Sequence, residues 1–429
     1  MTKTTPDSIT PHSGPADLGL AAAVACDAAD PLAPMRSRFE IPDDVIYLDG
    51  NSLGVLPKGV ADRVAASVSA EWGHGLIRSW NDAGWIDLPR RVGAKIAPLI
   101  GARPDCVVAA DSTTVNLFKV LSAALALRPD RTKIVTETRN FPTDNYIAEG
   151  VIRQCGDRHQ LVHVDQPDDI PAALDDDVAV LMLTHVNYRD GRLHDMEALT
   201  RAAHEAGALV IWDLAHSAGA LPVDLVGSNA DFAVGCGYKY LNGGPGAPAF
   251  LYVASRHHGG FRQPLSGWFG HANPFDFAPN YNAANDITQY LCGTPPVLSM
   301  VALDAALDAW DGVDMLALRA KSQALTKFFI DLVETRCAGH GLTLISPRDA
   351  DARGSQVSFS HATGGYAIIS ALIADGVIGD FRAPDILRFG FTPLYTRFTD
   401  VWHAVDRIAA IMDEGRWDTP EFHARKAVT

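Results

Sequence analysis

The sequence lacks several features that would place a protein in a specialised class. No stretch of its 429 residues approaches the run of about 18 uncharged apolar residues that a membrane helix needs. Cysteines are few, and they neither form a C-x-x-C pair nor cluster at spacings typical of disulfides or zinc sites. The six are Cys26, Cys106, Cys155, Cys236, Cys292 and Cys337. We therefore predict no membrane helix, no disulfide framework and no metal site, and we expect a reducing, cytoplasmic location.

Basic charge is also in deficit. The chain has 36 lysines and arginines against 51 aspartates and glutamates, which gives a net charge of −15. An acidic chain without a basic cluster is poorly suited to binding phosphate backbones, so a nucleic-acid partner is not expected. Hydrophobic residues make up 47% and charged residues 20%, a composition typical of a globular protein with a large core.

The N-terminal apolar segment from Leu18 to Cys26 differs from a signal peptide. The charges before it are Lys3, Asp7 and Asp17, whereas a signal peptide needs a basic region at that place. We predict a short helix here, after an irregular segment over residues 1–16.

Apolar runs alternate with helix-like segments between Cys106 and Val253. The runs are continuously apolar or nearly so, as expected of strands covered on both faces, and they lie at 107–110, 133–137, 178–183, 208–212, 232–234 and 249–253. The intervening segments around 114–127, 145–154 and 196–206 have helical composition and period. This alternation predicts an α/β fold with a mostly parallel sheet between helices.

The pattern changes near Pro296. Long helices are predicted at 296–311 and 313–337, then short strands near 355–360 and 385–391 and a last helix at 399–414. We therefore expect a smaller α+β domain at the C-terminus. The predicted division is an N-terminal arm over 1–50 that packs with the small domain, a large domain over 51–296 and the small domain over 297–429.

Polar residues follow four of the predicted strands at the edge where an open parallel sheet binds ligands. Residues 111–114, Asp-Ser-Thr-Thr, open a helix whose hydroxyls and free N–H groups could hold a phosphate. The other three groups are Phe141 to Asp144, Thr184 with His185, and Asp213 to His216. Asp213 is the most informative, because a carboxylate after five apolar residues is costly to bury without a cationic or hydrogen-bonding partner. An ordinary helix cap or a structural histidine remains the alternative at each place.

Lys239 follows the run 232–234 inside the segment Y-K-Y-L-N-G-G-P-G at 238–246. A lysine after an apolar strand, enclosed by aromatic residues, is placed for desolvation, which favours an amine nucleophile of the Schiff-base type. Pyridoxal phosphate needs a lysine for its aldehyde, an acid for its ring nitrogen, a ring stacked on its face and donors for its phosphate. Lys239, Asp213, Phe141 and the pair Thr113/Thr114 meet these needs in order, although a surface lysine in a glycine loop is the alternative.

At this point the sequence resembles the kynureninase family, over residues 26 to about 410. The resemblance is carried by Y-L-D-G-N-S-L-G at 47–54, F-P-T-D at 141–144, D-x-x-H at 213–216, the segment 238–246 and W-F at 268–269. D-x-x-H alone is shared with related aminotransferases and desulfurases. The resemblance implies a fold type I pyridoxal-phosphate enzyme that hydrolyses L-kynurenine, or its 3-hydroxylated form, to the corresponding anthranilate and L-alanine in tryptophan catabolism.

The same resemblance implies a role for each matched residue. Lys239 would bind the cofactor aldehyde and remove the substrate Cα proton, Asp213 would meet the pyridine nitrogen, and Tyr238 would act as a proton donor. The implied cofactor shell is Thr113, Thr114, Phe141, Asp144, Thr184, Asp213, His216, Tyr238, Lys239, Trp268 and Thr294. Trp268 and Thr294 would come from a neighbouring subunit, so a homodimer with active sites at the subunit interface is implied. Asn51, Ser52 and Phe269 would lie near the aryl ketone, and the sequence leaves the place of Trp80 open.

Arg388 would hold the substrate α-carboxylate. In the segment 386–391 strand alternation sends Leu387, Phe389 and Phe391 to one face and Arg388 to the other, beside a glycine. The alternative for Arg388 is a structural ion pair with Asp380 or Asp385.

Three other functions are alternatives to this interpretation. G-x-S-x-G at 50–54 matches a serine hydrolase, but Asp213 and His216 lie one helical turn apart, whereas a triad draws these residues from separate loops. A cysteine desulfurase would usually carry a histidine in place of Phe141 and a reactive loop cysteine, which Cys337 in a predicted helix does not provide. A regulator without turnover hardly fits the complete set of Lys239, Asp213 and Arg388.

Overall fold

A seven-stranded sheet forms the centre of the computed structural model, which describes residues 17–261 and 263–426. The strands of the chain are β1 Phe39–Glu40, β2 Ile46–Tyr47, β3 Leu56–Pro57, β4 Val107–Ala109, β5 Lys133–Glu137, β6 Gln160–Val164, β7 Val178–Thr184, β8 Leu209–Asp213, β9 Phe232–Gly235, β10 Phe250–Val253, β11 Thr343–Leu344, β12 Gln356–Ser360, β13 Val377–Ile378, β14 Asp380–Arg382 and β15 Ile386–Gly390. The central sheet has the order β4-β10-β9-β8-β7-β5-β6. Strands β5 to β9 are parallel, and β10 is antiparallel to both of its neighbours.

Helices surround this sheet and continue into the C-terminal part. They are α1 Leu20–Ala29, α2 Val60–Ala66, α3 Ser79–Asp82, α4 Leu88–Ile96, α5 Thr113–Ala126, α6 Pro142–Gln154, α7 Met196–Glu205, α8 Val297–Ala306, α9 Met315–Arg336, α10 Gly365–Ala374, α11 Phe398–Asp413 and α12 Pro420–His423. Among the described residues, none of these helices combines the length and the hydropathy needed to cross a membrane.

Both faces of the central sheet are buried, which explains its continuous apolar runs. Every residue of β7 is buried, and alternate side chains enter opposite cores: Leu181 and Leu183 pack on one face, Val180 and Met182 on the other. The six predicted strands and the α/β class are confirmed. The sequence did not reveal β6, because Gln160 and His163 interrupt its apolar pattern at the sheet edge.

A second, four-stranded antiparallel sheet has the order β11-β12-β15-β14. Its apolar face packs with α9, α10 and α11 in a separate core that contains Phe329 and Phe389. The predicted helices and strands of this region are confirmed, whereas the apolar helix α10 was missed.

The N-terminal segment reaches this second core. The predicted short helix is α1, and its Ala23 is buried there together with Ile46 and Leu48. Strand β2 pairs in parallel with β13. The expected irregular segment over residues 1–16 lies outside the described residues.

Candidate active site

The carboxyl ends of the parallel strands open into a cavity of about 840 Å³. The predicted residues that line it are Thr113, Thr114, Phe141, Asp144, Thr184, Asp213, His216, Tyr238, Lys239 and Thr294. The structure therefore brings together side chains from six segments that are far apart in the sequence. Thr294 reaches the cavity within its own chain.

Lys239 lies at the centre of this cavity because it follows β9 in a tight turn. Its Nζ is 3.0 Å from His216 Nε2 and 5.8 Å from the ring centres of both Phe141 and Tyr238. Burial and the Lys239 charge hold the pKa of His216 well below its usual range. His216 is therefore neutral and accepts a hydrogen bond from the lysine, which fixes the direction of the amine.

Two buried carboxylates face the same space. Asp213 ends β8 and accepts a hydrogen bond of 2.7 Å from the Ala215 N–H, and burial raises its pKa. Burial and the neighbouring Asp213 raise the pKa of Asp144 well above its usual value. Its Oδ1 atom has no hydrogen-bond partner among the described residues. This pair calls for a cationic or N–H donor supplied by a ligand.

The other end of the cavity is formed by the start of α5. Ser112 caps this helix by accepting a hydrogen bond of 3.3 Å from the Val115 N–H. The hydroxyl-bearing residues Ser112, Thr113 and Thr114 line the cavity. Free N–H groups and hydroxyls at a helix N-terminus suit an anionic group such as a phosphate.

Arg388 is almost fully buried on β15, and its guanidinium is extensively bonded. Nε donates to Asp380 Oδ1 at 2.7 Å, Nη1 to the Tyr188 carbonyl at 2.8 Å and Nη2 to Ser52 Oγ at 3.0 Å, with a further contact to Asp380 Oδ2. Asp380 also pairs with Arg382 at 2.8 Å. The ion pair with Asp380 that the sequence left open is therefore present. Leu387, Phe389 and Phe391 lie on the opposite, apolar face, as predicted.

The remaining predicted residues, like Arg388, are not among the described residues that line the cavity. Asn51 is fully buried, with Nδ2 3.4 Å from Gln356 Oε1, and Ser52 donates to Asp380 at 2.7 Å. Trp268 and Phe269 instead contact Trp80, with ring centres 6.4 and 6.3 Å away. Trp268 and Trp80 line a separate surface groove.

Tyr188 is a cavity residue that the sequence analysis missed. Its ring stands perpendicular to Phe141 at 5.2 Å, and its carbonyl accepts hydrogen bonds from both Arg388 and Gln356. It follows β7 by four residues, in a loop whose sequence has no periodic pattern that would have indicated it. Among the described residues, no group of His, Cys, Asp and Glu side chains is arranged to hold a metal ion.

The sequence matches two family models: "Kynureninase C-terminal domain" over residues 318–408, and "DegT/DnrJ/EryC1/StrS aminotransferase family" over residues 89–235. Kynureninases from Burkholderia mallei (strain SAVP1) and Pseudomonas fluorescens are 56% and 55% identical to it over 411 and 410 residues. Each alignment covers 95% of this chain, with 99% and 98% of the respective relative. The chain belongs to the kynureninase family.

Solved structures show which fold this kynureninase family member has. A cysteine desulfurase from Thermococcus onnurineus NA1 superposes with a TM-score of 0.74 at 20% identity, covering 89% of this chain and 98% of that one. A cysteine desulfurase from Escherichia coli gives 0.72 at 21% identity, with 90% and 98% covered. At this identity the likeness concerns the fold alone, and it confirms the predicted fold type I architecture.

Cys337 does not have the properties of the reactive thiol that a cysteine desulfurase needs. Cys337 directly follows α9 and is buried, and burial raises the pKa of its thiol to about 11. A reactive thiolate needs exposure and a lowered pKa. Cys337 has neither property.

Proposed function

We propose that the chain is a pyridoxal-phosphate-dependent hydrolase that converts L-kynurenine to anthranilate and L-alanine in tryptophan catabolism, with 3-hydroxy-L-kynurenine as a second substrate. The observation that carries this proposal is Lys239 at the centre of a cavity that also contains Asp213 and the start of α5. The family membership supplies the reaction.

The residues of the cavity fit this cofactor. Asp213 and Asp144 are buried carboxylates with raised pKa values, and a protonated pyridine nitrogen would supply the donor they need. Ser112, Thr113 and Thr114 would hold the phosphate, and Phe141 would lie against the ring. Bound there, pyridoxal phosphate supplies an aldehyde carbon for amines and a ring that accepts electrons.

The chain's own residues would then position groups and move protons. The Lys239 amine would take the proton from the substrate Cα, while neutral His216, 3.0 Å away, holds the amine in direction. Burial raises the pKa of Tyr238, so its phenol stays protonated and is suited to donate a proton. Arg388 would hold the substrate carboxylate, with Asn51, Ser52 and Phe269 assigned to the aryl ketone.

We also propose a homodimer with active sites at the subunit interface, where Trp268 and Thr294 of one subunit would lie beside the partner's site; Thr294 also lines the cavity of its own chain. A surface patch of exposed apolar side chains supports this, since monomeric proteins rarely leave large patches uncovered. It comprises Ile77, Phe275 and Phe277, which line one surface groove and are 60 to 79% exposed. Sedimentation of the wild type and of Ile77→Asp tests it, with a dimer expected to become a monomer.

The proposed organisation is an arm over 1–50, a large cofactor domain over 51–296 and a small domain over 297–429. The burial of Ile46 and Leu48 among C-terminal residues supports the assignment of the arm. A cytoplasmic location is supported by the six cysteines, all of which are unpaired.

The decisive experiment mixes the purified protein with L-kynurenine and follows anthranilate fluorescence. We expect fluorescence to grow with the wild type and to fall by several orders of magnitude with Lys239→Ala. Borohydride reduction and peptide mapping should leave the pyridoxyl group on Lys239. A label on another lysine, or sulfide release from cysteine without any anthranilate, would contradict the proposal.

A further inference from the structure

Lys119 on α5 is fully buried and takes no part in the proposed mechanism. Its ammonium donates to the Asp111 carboxylate and, at 2.5 Å, to the Tyr290 carbonyl. A buried ammonium is costly unless it is paired and hydrogen-bonded. Its place in the core therefore depends on these two acceptors.

The two acceptors belong to different segments of the chain. Asp111 lines the cavity itself and directly precedes Ser112, Thr113 and Thr114. Tyr290 does not line the cavity, but it lies four residues before Thr294, which does. The same segment holds a third element, because the Phe269 N–H donates to the Cys292 carbonyl at 3.1 Å. Lys119 thus joins two segments that carry cofactor-shell residues: the segment with Thr113 and Thr114, and the segment with Thr294.

The charge of Asp111 makes its ion pair with Lys119 important for the binding of an anion. The Asp111 backbone has a φ of 47°, a left-handed conformation that aspartate tolerates better than most residues. About a third of its side chain, 32%, remains exposed, and it lines the cavity at the end where the phosphate would bind. An unpaired carboxylate there would repel a phosphate dianion, and the ion pair with Lys119 neutralises it.

We propose that Lys119 is a positioning residue for the cofactor phosphate: it neutralises Asp111 and fixes the loop 111–114 against the segment 290–294. This inference rests on the proposed function, because only a phosphate-bearing ligand makes the charge of Asp111 matter for binding.

The test compares pyridoxal phosphate with pyridoxal, which lacks the phosphate, in absorbance titrations of the full-length protein freed of cofactor. In Lys119→Met the unpaired Asp111 should lower the affinity for pyridoxal phosphate by about tenfold or more, while the affinity for pyridoxal stays within about threefold. The ratio of the two affinities is the readout, since a general loss of structure would weaken both ligands.

Lys321 on α9 provides a matched control. It is also buried, and it donates to one carboxylate, Asp30 at 2.7 Å, and to one carbonyl, Pro393 at 2.5 Å. Lys321 does not line the cavity. Lys321→Met should lower the thermal midpoint and leave the affinity ratio unchanged.

A second pair of variants covers the case in which Lys119→Met does not fold. Asp111→Asn removes the carboxylate but leaves the lysine an amide oxygen and the Tyr290 carbonyl as acceptors, and Asp111→Asn/Lys119→Met removes both charges, so neither contains an unpaired carboxylate. The double variant should bind pyridoxal phosphate about tenfold more weakly than Asp111→Asn, with equal affinities for pyridoxal. Equal affinity ratios within both pairs would overturn the role of Lys119. A wild type that binds neither ligand would instead overturn the proposed function.

Discussion

At the scale of single residues, Asp213 is a buried carboxylate with few hydrogen-bond donors around it. Its described hydrogen bond comes from the Ala215 N–H, and burial raises its pKa. A cationic pyridine nitrogen would stabilise the carboxylate, and the carboxylate would in turn keep that nitrogen protonated. The substitution Asp213→Asn preserves the shape and removes the charge.

We therefore expect Asp213→Asn to retain the cofactor absorbance and to slow the exchange of the substrate Cα proton, followed by NMR in deuterium oxide. Asp190→Asn serves as the control, since burial also raises the pKa of Asp190 but this residue does not line the cavity. Its exchange rate should stay at the wild-type value. Wild-type exchange rates in Asp213→Asn would refute the assignment.

Arg388 carries two candidate roles, because the structure shows it bonded to Asp380 while the proposed function assigns it to the substrate. A guanidinium meets a carboxylate through two parallel hydrogen bonds, whereas an ammonium acts as a point charge. Hydrogen bonds to charged groups contribute about 1.5–3 kcal/mol, so Arg388→Lys should lower kcat/KM by roughly ten- to a hundredfold. Cofactor affinity should stay nearly unchanged.

Arg382→Lys is the matched control, since Arg382 pairs with the same Asp380 carboxylate. We expect its effect on kcat/KM to be much smaller. If Arg388→Lys lowers the thermal midpoint but leaves kcat/KM within about twofold, a free-energy change below 1 kcal/mol, the ion pair is its only role.

At the scale of elements, β15 supplies both Arg388 and the space for the loop that carries Asn51. Gly390 ends this strand, and a Cβ at position 390 would lie 1.8 Å from Asn51 Oδ1. Asn51 is fully buried, so it cannot move aside without displacing its neighbours.

Gly390→Ala should therefore lower the free energy of unfolding by about 1–3 kcal/mol, as overpacked cores do, and should also lower kcat/KM. Gly150 within α6 is the control, because a Cβ there meets no atom within 4 Å among the described residues. Gly150→Ala should be neutral or stabilising, since alanine favours helix. Thermal unfolding and steady-state kinetics of both variants measure the difference.

The central sheet could be predicted from the sequence, because strands buried on both faces leave continuous apolar runs such as 178–183. The residues that follow these strands could be predicted for the same reason, since the sheet brings its carboxyl ends to one edge. Tyr188 could not, because its place depends on the fold of a loop with no periodic pattern. The burial of Lys119 could not be predicted either. Its ion-pair partner Asp111 is only eight residues away, just before α5, but the burial of the pair also depends on the distant Tyr290 carbonyl.

At the scale of the whole molecule, the N-terminal segment introduces a pH dependence. Burial and the neighbouring Asp380 raise the pKa of Asp49 to about 7, against about 3.9 for an unfolded aspartate. The folded state thus holds this proton more tightly than the unfolded state. Its contribution to stability is complete below about pH 4 and is lost as the pH rises towards 7, by up to ~1.4 kcal/mol per pH unit.

We expect the thermal midpoint of the wild type to fall relative to that of Asp49→Asn between pH 5 and 7, because the asparagine does not titrate. Scanning calorimetry of both proteins across this range measures the difference. Parallel curves would show that Asp49 is already ionised in the folded protein.

The same N-terminal segment connects the first part of the described chain to the last. Asp27 accepts a hydrogen bond of 2.6 Å from the Phe398 N–H, 371 residues away, and β2 pairs with β13. During synthesis on the ribosome, the segment that carries Ile46 and Leu48 emerges long before most of its core partners, which lie between residues 324 and 412. Contacts between such distant segments form slowly, and domains completed earlier fold first. Ile46 and Leu48 therefore wait for these partners, and during that interval a chaperone would have a hydrophobic segment to bind.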